Sequence, residues 1–153
     1  MKSIALPAPA ENFLPHSAPM AYIDRLLEGD DVRGLCETRI DPGHMLVDEA
    51  GRLDRAAFIE LAAQGFAALK GWHYLCREKP YAIGYLVGVQ GFECFGDAHA
   101  GDVLLIETVE AGVFDSFSVV EAAITRDGET LCQGKLKLYI VDDEETDAGE
   151  LET

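Results

Sequence analysis

The chain has 153 residues, a formal net charge of -16 and 48% hydrophobic residues. That length suits one compact domain, and that apolar fraction suits a packed core and not a disordered chain. A balance this acidic excludes a nucleic-acid or anionic-membrane binder, because phosphate recognition needs clustered Lys and Arg.

Residues 1–19 carry four prolines and no continuous apolar stretch. They predict irregular chain and not a signal peptide. Ala21 to Leu27 mixes apolar and charged residues and fits a strand or a short helix. Glu28-Gly29-Asp30-Asp31 is a turn signal. Val32, Gly34, Cys36, Thr38 and Ile40 then alternate with Arg33, Leu35, Glu37 and Arg39, which predicts a half-buried strand. Asp41-Pro42-Gly43-His44 ends it.

A helix is predicted from about Arg55 to Arg77. Asp54 can cap it, since its carboxylate can accept the free N–H groups of the first turn. Between Ala56 and Leu69 the only polar side chains are Glu60 and Gln64. A helix apolar nearly all round is a buried one. One way to bury it in a chain this short is to wrap a sheet around it. The small residues, such as Ala62, Gly65 and Gly71, would let the backbones approach closely.

Four strand-like segments follow, at 82–95, 102–113, 116–126 and 130–141. Gly96 to Gly101, Asp115-Ser116 and Asp127-Gly128 are the turns between them, and Asp-Gly is a strong hairpin signal. Gly84, Gly88 and Gly91 lie inside the first of these strands, where they fit sheet curvature or close helix approach. Asp142 to Thr153 hold seven acids and no base. Such a run repels itself and stays solvated. Residues 1–142 are therefore expected to form a single α+β domain, and 143–153 an acidic, disordered tail.

Cys36, Cys76, Cys94 and Cys132 form no CxxC pair, so they fit small buried hydrophobes of a reduced, cytoplasmic protein. No apolar run approaches the roughly 18 residues of a membrane span. No histidine pair has metal-ligand spacing, and no metal or cofactor is implied.

Two positions stand out for chemistry. Glu60 and Gln64 are four apart and share a helix face. A carboxylate among Phe58, Ile59 and Leu61 is costly unless it is paired, hydrogen-bonded or protonated. An apolar setting suits a general acid. The alternative is a Glu60 held by a backbone donor or a neighbouring chain. His44 follows Pro-Gly in the loop before the helix; alone, such a residue is more often a surface or packing histidine. His16, His73 and His99 are weaker candidates. His73 lies near the helix end, where a cation meets the dipole favourably.

Several stretches together resemble a known family. Leu14 to Asp30, LPHSAPMAYIDRLLEGD, resembles the opening LPHRxPxLLIDRVLE of the bacterial beta-hydroxyacyl-acyl carrier protein dehydratases. Ile59 to Gln64, IELAAQ, resembles their helix motif EAMAQ. Gly71-Trp72-His73, the Gly-rich strand Ile83 to Gly88, and Gly128-Glu129-Thr130-Leu131 through Gly134 and Leu136 to Tyr139 resemble more closely the dehydratase-like proteins of aryl-polyene clusters. The likeness covers roughly residues 13–141.

That resemblance implies a hotdog fold, an antiparallel sheet wrapped around one long helix, usually dimeric. It implies a 3-hydroxyacyl thioester dehydratase of fatty acid or polyene/polyketide biosynthesis, acting on acyl carrier protein or CoA substrates. In the family a histidine before the helix and a glutamate on it come together across two subunits. Here His44 would be the base, Glu60 the acid, and Gln64 would orient Glu60. Backbone N–H groups at Ala56 and Ala57 would stabilise charge on the thioester oxygen. Arg52 and Arg55 beside the site, or Arg77 and Lys79 past the helix, would meet a pantetheine phosphate, unless they are solvated loop charges. The family's histidine loop, GHFPxxPxMPG, is altered: Met45-Leu46 replace Phe-Pro, and Leu53-Asp54-Arg55 stand at MPG. Two alternatives therefore stay open: a non-catalytic hotdog subunit partnering an active dehydratase, or an acyl thioesterase.

Overall fold

The computed structural model describes residues 1–14, 21–79 and 83–141. His16, with the rest of residues 15–20 of the LPHSAPM stretch, and the acidic tail lie outside them. The elements are β1 (Ala8–Pro9), a 3-10 turn (Ala10–Asn12), β2 (Arg25–Gly29), β3 (Arg33–Arg39), α1 (Ala56–Cys76), β4 (Ile83–Cys94), β5 (Val103–Phe114), β6 (Phe117–Arg126) and β7 (Glu129–Val141). The strands form one antiparallel sheet in the order β1-β2-β3-β5-β6-β7-β4. β1 and the 3-10 turn fall within residues 1–19, where the sequence predicts irregular chain. Pro9 lies in β1 and Pro7 just before it, and proline lacks the N–H donor that a longer strand needs.

The helix is enclosed, as its composition requires. Phe58, Leu61, Phe66 and Leu69 are each no more than 1% exposed. It packs on β2, β3, β5 and β6. Glycine marks the closest approaches. A Cβ on Gly65 would stand 3.0 Å from Ile106, and one on Gly34 3.1 Å from Leu69. Strand register then builds the facing wall. Cys36, Ile106, Ile124, Cys132 and Cys94 form one row across the sheet. Cys36 and Cys132 are fully buried, and burial pushes both thiols up to about 12. They behave as small hydrophobes, and all four cysteines are free.

Gly71-Trp72-His73 fastens the far end of the helix. Gly71 lies against the Phe13 carbonyl so closely that an added Cβ would stand 1.9 Å from it. Trp72 Nε1 donates to the Ile4 carbonyl at 3.0 Å. His73 Nε2 donates to the Asp30 carbonyl at 2.6 Å. His73 is buried, and burial holds it below the ordinary histidine value against the opposing pull of that bond. His73 thus sits in the last helical turn, as its position suggests, but burial works against the charge that the dipole would favour.

Gly88 and Gly91 of β4 sit at bulges, and Gly84, Gly88 and Gly91 have no helix atom among their nearest neighbours. The β4–β7 register slips between Leu86 and Gly88 and again between Gln90 and Glu93, with Gly91 at φ +60°. The second slip turns Phe92 inward over Gly134, where a Cβ would meet the Phe92 ring at 2.5 Å. Extra residues of this kind bend a strand and increase its twist.

Candidate active site

The site begins with Tyr22, which the AYID stretch places just ahead of β2. Its main chain is held on both sides. Thr38 Oγ1 donates to the Tyr22 carbonyl at 2.7 Å, and the Tyr22 N–H donates to Gln64 Oε1 at 2.7 Å. Gln64 is only 2% exposed, so the bond forms in a dry setting. An orphaned N–H there would cost about 1–3 kcal/mol. With its oxygen taken by Tyr22, the Gln64 amide nitrogen must point the other way. It donates to Glu60 Oε1 at 2.9 Å. The four-residue spacing puts the two side chains on one face, and this bond fixes Glu60 Oε1 against Gln64.

His44 meets the same anchor. Its ring lies against the Tyr22 ring, with centroids 4.4 Å apart and planes inclined by 46°. The loop is a tight one. Asp41 Oδ1 accepts from Gly43 N–H, and the Asp41 carbonyl accepts from His44 N–H. His44 Nδ1 in turn accepts the Leu46 N–H at 3.0 Å. A backbone amide is always a donor. Nδ1 is therefore unprotonated, and the neutral ring carries its hydrogen on Nε2. Partial burial holds His44 below the ordinary histidine value, opposed by Asp41.

Across from this loop, the start of the helix uses its own amides. Asp54 Oδ1 accepts from Ala56 N–H at 2.9 Å, and the Asp54 carbonyl accepts from Ala57 N–H at 2.9 Å. The helix starts at Ala56 with Arg55 as its N-cap and no side-chain cap bond, so Asp54, expected as the cap, stands one residue earlier and holds the Ala56 amide in a turn. The same bonds occupy both amides expected to stabilise a thioester oxyanion.

Beside the cap lies a cleft of about 500 Å³ between the 45–48 and 52–55 segments. Arg52 and Arg55 line it, together with Asp48, Asp54 and Asp97. Arg55 Nε donates to Asp97 Oδ1 at 2.8 Å, and Arg52 stands 3.7 Å from Asp48. With two guanidiniums among three carboxylates, the cleft is not a cationic patch. Its far wall comes from the Gly-bounded loop before β5. Leu53 N–H donates to the Ala98 carbonyl, and Ala100 N–H to the Gly51 carbonyl. Sequence reading places His99 there as a lesser candidate. The loop's contribution is Asp97 instead, which carries no motif of its own. Tyr22 was also hidden, although the AYID resemblance covers it. Among the described residues no group of His, Cys, Asp and Glu is arranged to hold a metal ion.

The model of the ApeP-like family, the ApeP dehydratases, matches residues 8–148. The chain belongs to the ApeP-like dehydratase family. Among solved structures, the dehydratase heterocomplex ApeI:P from Xenorhabdus doucetiae matches with a TM-score of 0.83 and 25% identity. That alignment covers 91% of this chain and 95% of the other. More distant structures share the fold alone. A hypothetical thioesterase with coenzyme A from Streptococcus pneumoniae has a TM-score of 0.60 at 13% identity, over 76% of this chain and 84% of its own. The PaaI protein of E. coli has 0.60 at 12% identity, over 74% and 80%. No curated protein matches the chain. The ApeP-like fold is thus the hotdog: one antiparallel sheet around one long helix.

Proposed function

We propose that this ApeP-like chain eliminates water from 3-hydroxyacyl thioesters, carried on acyl carrier protein or CoA, in fatty acid or polyene/polyketide biosynthesis. The observation that carries this is Glu60, held on the family's helix by Gln64 at 2.9 Å. Elimination needs a group to take the α proton and a group to protonate the departing hydroxyl. The α C–H is acidified only by the thioester carbonyl, whose oxygen gains charge and needs a donor. Glu60 and His44 are the groups offered for these tasks. Arg52 and Arg55 flank the cleft where the carrier arm would enter.

Assembly belongs to the same proposal. β4 is one edge of the sheet. It runs for twelve residues with no charge before Glu93 and exposes Tyr85, Leu86, Val87 and Val89 by 41–54%. A long apolar edge is a hazard unless something covers it. The opposite edge is guarded by the two-residue β1, flanked by Pro7. β4 is therefore the edge where a second hotdog chain, identical or different, would pair. The ApeI:P heterocomplex favours a different one.

Product analysis tests the chemistry. A 3-hydroxyacyl thioester incubated with the protein, alone and with a second hotdog subunit, is expected to yield the 2-enoyl thioester. Release of free thiol instead would make it a thioesterase. No conversion in either setting would make it a non-catalytic subunit.

A further inference from the structure

The dehydratase proposal leaves open which way His44 acts, and three features of the chain bear on it. The Leu46 N–H occupies His44 Nδ1 at 3.0 Å, so the hydrogen of the neutral ring sits on Nε2. The amides of Ala56 and Ala57, the obvious oxyanion donors, are already bound to Asp54. Glu60 has one oxygen, Oε1, committed to the Gln64 amide.

We propose that His44 serves as the neutral oxyanion donor, through Nε2–H, while Glu60 alone carries the proton. This rests on the dehydratase reading and changes the role expected of the histidine. A ring whose Nδ1 accepts from an amide and whose Nε2 bears a hydrogen has no lone pair free to take the α proton. Protonating Nδ1 would set two donors against each other at Leu46. The ring can still give one hydrogen bond to a carbonyl oxygen, and a neutral imidazole is a competent electrophile for enolisation.

The step balances with one carboxylate. Glu60 takes the α proton as the Cα–H bond breaks, and the electron pair moves to the thioester oxygen, where His44 Nε2–H meets the charge. The enolate then returns that pair to form the Cα–Cβ double bond. The Cβ–O bond breaks, and the hydroxyl leaves as water with the proton Glu60 holds. Glu60 is again a carboxylate, and His44 has neither gained nor lost a proton. The scheme requires a Glu60 carboxylate on the far side of the substrate from His44, supplied by either chain.

Glutamine separates the two roles, because its side-chain amide can donate but cannot act as a base. Turnover of a 3-hydroxyacyl thioester is measured for wild type, His44→Gln and His44→Ala, with folding checked by circular dichroism. The expected result is a loss of about 100-fold or more in kcat for His44→Ala, the usual effect of removing one oxyanion donor, with His44→Gln recovering most of it. Equal loss in both folded variants overturns the donor role. Nitrogen-15 NMR of histidine-labelled wild type gives an independent readout. The Nε2–H tautomer is expected, and an Nδ1–H tautomer overturns the proposal whether or not turnover is seen. Absence of product from wild type counts against the dehydratase reading itself, a different outcome from either of these.

Discussion

Gln64 is the residue on which the site's geometry turns. It reads Tyr22 with its oxygen and Glu60 with its nitrogen, so both ends of one amide are committed. Gln64→Leu keeps the volume and removes both bonds. It is expected to lower kcat by about 10–100-fold with little change in KM, since an unheld carboxylate costs orientation more than binding. Orphaning the Tyr22 N–H should also cost about 1–3 kcal/mol, read by urea denaturation. The histidines give a second test at this scale. Burial holds His44 and His73 below their ordinary value of 6.5. Below that value the unfolded chain binds protons that the folded chain does not, so stability is full above it and falls as pH drops toward the lowered values. Denaturation midpoints should therefore decrease from about pH 7.5 to about pH 5.5. His73→Gln should show a smaller decrease. Asp30, held low by the Arg33 and Val32 amides, and Asp97, held low by Arg55, act in a separate window below 3.8.

Among the elements, α1 was the most legible. Its uniform apolarity announced burial, and its small residues announced a close wall. Gly71 is the sharpest case, because nothing larger fits beside the Phe13 carbonyl. Gly71→Ala is expected to destabilise by about 3 kcal/mol or more, the upper range for overpacking, as backbone and not a flexible side chain must move. Urea midpoints measure it, with Gly128→Ala as a control for a left-handed glycine that has nothing within 4 Å. The strands were legible by alternation: Gly34, Cys36, Thr38 and Ile40 are all buried. β1 was not, because two residues give no period. The helix-end place of His73 was legible, but its partner, the Asp30 carbonyl, was not, since it lies far away in sequence and close only in the fold. The same reason hid Tyr22 and Asp97. Both act through partners distant in sequence, and spacing carries no trace of such contacts.

For the whole molecule, the two sheet edges differ in kind. The β1–β2 edge is short and proline-bearing, whereas β4 is long, uncharged until Glu93 and exposed. Val87→Lys places a charge on that edge, where Val87 is 52% exposed. By light scattering, the wild type is expected to run as at least a dimer, alone or with its partner subunit, and Val87→Lys as a monomer with an unchanged circular dichroism spectrum. A wild type that stays monomeric, or a variant that stays paired, would place the partner elsewhere.

Everything chemical depends on the carboxylate that Gln64 holds. The most direct measurement is the interconversion of 3-hydroxyacyl and 2-enoyl thioesters by wild type and Glu60→Gln, followed by mass spectrometry on folded, assembled protein. Wild type is expected to bring the two to equilibrium, with Glu60→Gln slower by about a thousandfold or more, a loss near that of the general acid–base contribution itself. A Glu60→Gln protein working within tenfold of wild type would contradict the role given to Glu60.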